Sequence, residues 1–234
     1  NRFDNDAYKN VYNQLQEAAN AYHESNQNAE YRESGETHYY KAFTINVTSK
    51  NWEVIGASGM QSVVNAVLAD NPMYFWMSPD FKCNAKSLDG GSVCYEVQII
   101  CYDDYANGNT REIIRNNANI VISNYADNLD KDLPDYQNAI IDDTYFDTES
   151  EASHSGDSWC YSVDGVFNSK HKSATSFGYA KAFKAVMDYL GVKCIYVEGN
   201  VTSSSEEDKD SETYNSHAWN MVCLDDGWYI VDLA

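Results

Sequence analysis

His217-Ala218-Trp219-Asn220-Met221-Val222-Cys223-Leu224, then Asp225-Asp226-Gly227, then Trp228-Tyr229-Ile230-Val231-Asp232, form the stretch on which the reading of this sequence turns. Two apolar-rich segments flank an Asp-Gly turn, which is the pattern of an antiparallel hairpin. Side chains alternate across a strand, so register decides which of them meet. A loop at 225–226 pairs Asp232 with Trp219 and sets it one diagonal step from His217, about 7–8 Å between backbones. A carboxylate and an imidazole can meet across that gap. A loop at 226–227 moves them two residues further apart and requires a bulge.

An imidazole held by a carboxylate usually serves a nucleophile. The N-terminus of a buried helix suits one, because its free N–H groups and dipole stabilise a thiolate or an oxyanion. Upstream, Tyr179, Phe183, Val186, Met187 and Leu190 make a helical stripe that Gly191 ends. Ser176 stands at its start, and taken alone it reads as an N-cap. Of the five histidines, His23, His38, His154 and His171 lie in polar surroundings with no spaced partner and read as surface residues.

Together these segments resemble the bacterial transglutaminase-like superfamily. Ser176-Phe177-Gly178-Tyr179-Ala180 matches its C-x-G-Y-A helix start, and Leu190-Gly191-Val192 its L-G-[IV]. His217-Ala218-Trp219-Asn220 matches its H-A-W-N strand, and Trp228-Tyr229-Ile230-Val231-Asp232 its W-Y-x-V-D strand. Ser162-Val163-Asp164-Gly165-Val166 is similar to the S-A-Y-G-x-L lead-in. The resemblance implies an α+β fold with a papain-like core, a nucleophile-bearing helix on an antiparallel sheet, and an N-terminal α+β extension. It implies a Cys-His-Asp triad at Ser176, His217 and Asp232, with Ser176 where the family has cysteine. Either an engineered substitution or natural loss of the thiol accounts for that serine. The expected geometry puts the Ser176 oxygen within roughly 4 Å of one His217 ring nitrogen, with Asp232 on the other. Trp159 and the Ser176 N–H are the candidates for oxyanion stabilisation.

The implied activity is that of a secreted cysteine enzyme, a peptidase or cross-linking acyltransferase acting on peptide or Gln side-chain carbonyls, in an inactive Ser176 form. The rival is a natural pseudoenzyme that binds peptides or cell-wall polymers, with Trp159, Trp219 and Trp228 lining its cleft rather than filling the core. The partner in either case is a peptide or protein, and no cofactor or metal is implied. No C-x-x-C pair and no EF-hand spacing occurs.

The rest of the chain divides near residue 105, into an N-terminal α+β region, 1–105, and a catalytic region, 106–234. Helices are predicted over 5–23, 59–69 and from Asn107 to about Leu129, with another from Asp132-Leu133-Pro134. Strands are predicted over 38–48, Tyr74–Met77, Val93–Tyr102, 193–198, 217–224 and 228–233. Residues 24–37 and 147–158 read as polar loops, and Thr202–Thr213 as an acidic, Ser-rich loop or lid leading into His217.

Composition sets the outer limits. The 234 residues carry 16 basic and 36 acidic side chains, a net charge of −20, which repels phosphate backbones and argues against a nucleic-acid partner. No apolar run reaches the length of a membrane-spanning helix. The start at Asn1 rather than Met implies that something was removed, by processing or by design of the chain, and with the polar, Tyr- and Asn-rich surface it points to a secreted or cell-surface protein. Six cysteines lead to the expectation of at least one disulfide, Cys83–Cys94 before Cys194–Cys223.

Overall fold

A computed structural model describes residues 3–128, 133–203, 213–225 and 227–234. The chain is α+β and divides into two compact units, residues 1–113 and 114–234. Most of the Thr202–Thr213 segment lies outside the described residues.

In the first unit, helix α1 (Asp6–Glu24) starts from Asn5, whose side chain accepts the Ala7 N–H, and buries Val11, Leu15 and Ala19. Strands β1 (Glu30–Ser34), β2 (Thr37–Thr48), β3 (Met77–Ser87) and β4 (Val93–Cys101) form an antiparallel sheet in the order β1-β2-β4-β3. Between β2 and β3 runs α2 (Ser49–Asp70), longer than its apolar stripe announced and kinked at Gly56, whose φ of 56° suits glycine. Strand β1 is exposed along its whole length, so it carries none of the apolar alternation that marks a strand. Its charges suit a sheet edge.

Tyr74–Trp76 is not a strand. Tyr74 and Met77 donate to carbonyls three residues back, a turn that drives Trp76 fully into the core, where its indole donates to His23 Nδ1 at 3.2 Å. His23 is therefore a buried acceptor, not a surface residue.

All six cysteines are free. The registers give the reason. Cys83 faces Val97 while Cys94 faces Lys86, so the two thiols point to opposite sides of their sheet.

The second unit contains most of α3 (Gly108–Asn128), followed by α4 (Leu133–Asp142), the two-residue strand β5 (Tyr145–Phe146) and α5 (Thr148–Ser153). A 3-10 turn at Ser158–Tyr161 leads to α6 (Val163–Phe167) and β6 (Ser173–Ala174), which pairs in parallel with β5. Then come α7 (Ser176–Tyr189) and the antiparallel strands β7 (Cys194–Ser203), β8 (Thr213–Leu224) and β9 (Gly227–Val231), in the order β7-β8-β9. Ala182, Phe183 and Val186 of α7 are buried with Ala218, Asn220 and Val222 of β8, and the Asn220 amide donates to Ala180 O at 3.0 Å. Cys194 faces Val222 on that inner side, so Cys223, the next residue, points away from it and the second predicted disulfide is also excluded.

The predicted loop 147–158 holds helix α5. Asp147 caps it, accepting from the Ser150 N–H at 2.9 Å and the Ser150 hydroxyl at 3.0 Å. None of its residues is buried, so no apolar period could announce it.

Candidate active site

Helix α7 begins where β6 ends. Its N-cap is Thr175, not Ser176. The Thr175 N–H and hydroxyl both donate to Cys160 O, at 2.9 and 3.1 Å, so the cap side chain is spent on tying the helix start to the 3-10 turn. Ser176 becomes the first helical residue, fully buried, with an N–H that no helical carbonyl can satisfy. Gly178 lets this approach happen: a Cβ there would lie 2.6 Å from Cys160 O and 2.9 Å from the Ala174 Cβ. Gly178→Ala is expected to cost about 1–3 kcal/mol, because backbone on the facing side must shift. Urea denaturation measures it, and a neutral result would mean that this contact is loose.

Leu224 pairs with Gly227 and Asn220 with Val231, which sets Asp232 just past the strand and diagonal to His217. His217 Nε2 lies 2.9 Å from Asp232 Oδ2. The imidazole is 12% exposed and the carboxylate 41%. Trp219 stacks beside the imidazole, ring centroids 6.3 Å apart, and its ring fills the space left by Gly199.

The link between His217 and Ser176 runs through a residue with no part in the sequence reading. Glu151, on α5, places Oε2 2.8 Å from the Ser176 N and Oε1 2.6 Å from the Ser176 Oγ. The same Oε1 lies 3.4 Å from His217 Nδ1. The Ser176 hydroxyl donates to Glu151 and accepts from the Ala218 N–H at 3.2 Å. Glu151 is set there from several sides. Asp147 caps its helix, the Asp147 N–H donates to Ala174 O of β6, and the Tyr161 hydroxyl donates to Ser150 O at 2.8 Å. In sequence, Glu149-Ser150-Glu151 is one polar stretch among many in an acidic chain, and only the cap at Asp147 hints at local order.

Of the two candidate oxyanion donors, the Ser176 N–H is at the site but taken by Glu151. The Trp159 indole N–H donates to Asp157 at 3.1 Å, and its ring stacks on His171. Nearby, the Tyr196 hydroxyl donates to Glu198 at 2.7 Å; burial pushes this phenol well above its ordinary range, and the charges of Glu198 and Glu151 add to the rise. Lys181 donates to Tyr161 O at 3.0 Å, and burial pulls its ammonium below the usual lysine value against the pull of Glu198.

None of the native thiols is tuned for attack where a shift is resolved. Burial pushes Cys101 and Cys194 up to about 12 and Cys160 up to about 11. Among the described residues, no group of three or more His, Cys, Asp or Glu side chains could hold a metal ion.

The sequence profile of the transglutaminase-like superfamily core matches residues 123–233. No curated protein matches the chain. Among solved structures, a TGase is 14% identical with a TM-score of 0.41, over 82% of this chain and 50% of that one. The periplasmic domain of TgpA from Pseudomonas aeruginosa, bound to ethylmercury, is 11% identical with a TM-score of 0.37, over 88% and 74%. The chain thus spans about half the length of the first of these structures.

Proposed function

We propose that this chain, whose residues 123–233 belong to the transglutaminase-like superfamily, is built for acyl transfer at position 176 and is silent there because that position carries a serine. In the active form a cysteine thiolate at 176 attacks the carbonyl of a peptide bond or a Gln side chain. His217 takes the thiol proton and returns it to the leaving amine, and Asp232 orients the ring. Water as acceptor gives hydrolysis and an amine gives a cross-link. The observation that carries this reading is the orientation of His217: Nε2 on Asp232, Nδ1 turned toward the N-terminus of α7. The secreted or cell-surface location belongs to the same proposal and rests on the acidic, polar composition. Among the described residues, no helix is long and apolar enough to cross a membrane.

A second reading, a natural pseudoenzyme that binds peptides, is favoured by one contact. A hydroxyl donates to the Glu151 carboxylate at 2.6 Å, where a thiolate would be repelled by it. Alkylation separates the two. With Ser176→Cys combined with Glu151→Gln, which removes the opposing charge, iodoacetamide at neutral pH is expected to modify position 176 before any native thiol, since the helix terminus and His217 both favour the thiolate. His217→Ala in that background should slow the modification. A thiol that reacts like an ordinary cysteine with pKa about 8.5, unchanged by loss of His217, would hand the site to the pseudoenzyme reading.

A further inference from the structure

We infer that the N-terminus of α7 is a carboxylate-binding position, and that Glu151 is its tethered occupant, holding the acyl site closed from within the chain. The inference rests on the reading of position 176 as the nucleophile position and concerns what governs access to it. The N–H of the residue at the nucleophile position is the donor that an incoming carbonyl oxygen must use. Here that N–H donates to Glu151 Oε2 at 2.8 Å, and the side-chain oxygen at 176 is bound to Oε1 at 2.6 Å. The carboxyl carbon of Glu151 therefore occupies the place of the carbon under attack. A helix N-terminus favours an anion there, so the contact is stable by itself. One N–H cannot serve the plug and a substrate at once, so a carbonyl enters only as Glu151 leaves.

Helix α5 is suited to leaving. It is a single short helix of six residues, none of them buried, held at Asp147, at Ser150 and by the Glu151 carboxylate itself. Segments held by hydrogen bonds without apolar burial open at low cost. Loss of the Glu151 contact leaves Ser176 with an unsatisfied N–H and a cavity shaped for two carboxylate oxygens. Small carboxylates are the ligand class that fits it.

The test uses the full chain and the uncharged reagent iodoacetamide at neutral pH. Ser176→Cys,Glu151→Ala should be alkylated at least about tenfold faster than Ser176→Cys, the factor that one unit of thiol pKa makes in thiolate fraction. Sodium propionate should slow the alkylation of Ser176→Cys,Glu151→Ala by refilling the cavity, and leave Ser176→Cys unaffected. Glu151→Gln, which keeps the volume and drops the charge, should accelerate the reaction by a smaller factor. In the chain with Ser176 in place, hydrogen exchange at the Ser176 amide should be slow and should speed up in Glu151→Ala; this readout needs no thiol. Equal alkylation rates, or propionate acting on both thiol forms alike or on neither, would overturn the plug, as would an exchange rate at Ser176 indifferent to Glu151. Failure of the nucleophile reading looks different: His217→Ala would then leave the reactivity of Ser176→Cys unchanged, while the exchange result would still stand.

Discussion

Ammonia release from a glutamine-containing peptide is expected to rise by about three orders of magnitude or more when Ser176→Cys is combined with Glu151→Ala, relative to the unsubstituted chain. Two barriers fall together. A hydroxyl is a poor nucleophile for an imidazole that has only to take a thiol proton, with an ordinary thiol pKa of about 8.5. Releasing the N–H at 176 from a carboxylate returns an oxyanion donor, and one such donor is worth about 10²–10³ in rate. The partners are otherwise in place, since His217 is held on Asp232 at 2.9 Å and the Ala218 N–H already points at the reacting atom. His217→Ala should erase the gain. Equal rates for the thiol and hydroxyl forms, with both folded, would remove acyl transfer from the account of this site.

What could be read from the sequence was what repeats or pairs. The stripe from Tyr179 to Leu190 has a period that only a helix satisfies, and α7 ends by Leu190 as Gly191 requires. The meeting of His217 and Asp232 follows from counting across the hairpin, and the register adopted, with Leu224 opposite Gly227, is the one that permits it. Glu151 obeys no such rule. It reaches Ser176 from a segment without apolar period, through a cap and one parallel pair of two-residue strands, so nothing local to residue 151 announces its partner. The disulfides failed on parity. Both predicted pairs joined strands correctly seen as neighbours, but each put its two thiols on opposite faces. Arg111 is silent in the same way as Glu151: it is fully buried, because its guanidinium donates to the carbonyls of Tyr105 and Gln27 and lies 4.2 Å over the Tyr22 ring, and no apolar period marks a buried charge.

Among its described residues, the second unit offers no partner to an anion at position 220, so a carboxyl placed there should make stability depend on pH. Asn220→Asp is expected to destabilise the protein by about 3–5 kcal/mol at pH 8, the cost of an uncompensated buried charge. Asn220 is fully buried beneath α7, and its Nδ2 donates to Ala180 O at 3.0 Å. Its Oδ1 finds no protein partner. A carboxylate in its place would set an anion against the Ala180 carbonyl and lose the donor that α7 needs. Lys184, whose charge acts on Cys194, offers no relief, because both oxygens of Asp188 already hold it at 2.8 Å. Burial raises the folded-state pKa of such a carboxyl above its unfolded value of about 3.9. The folded state then binds more protons than the unfolded one, so stability falls as pH rises through that interval. At pH 4 the group is largely protonated when folded, its O–H can donate to Ala180 O, and most of the deficit should vanish. Urea denaturation of both chains at pH 4 and pH 8 isolates the difference from the titration of the other acids. A deficit below about 1 kcal/mol at pH 8, or one that does not shrink on acidification, would mean that residue 220 does not support α7 from beneath.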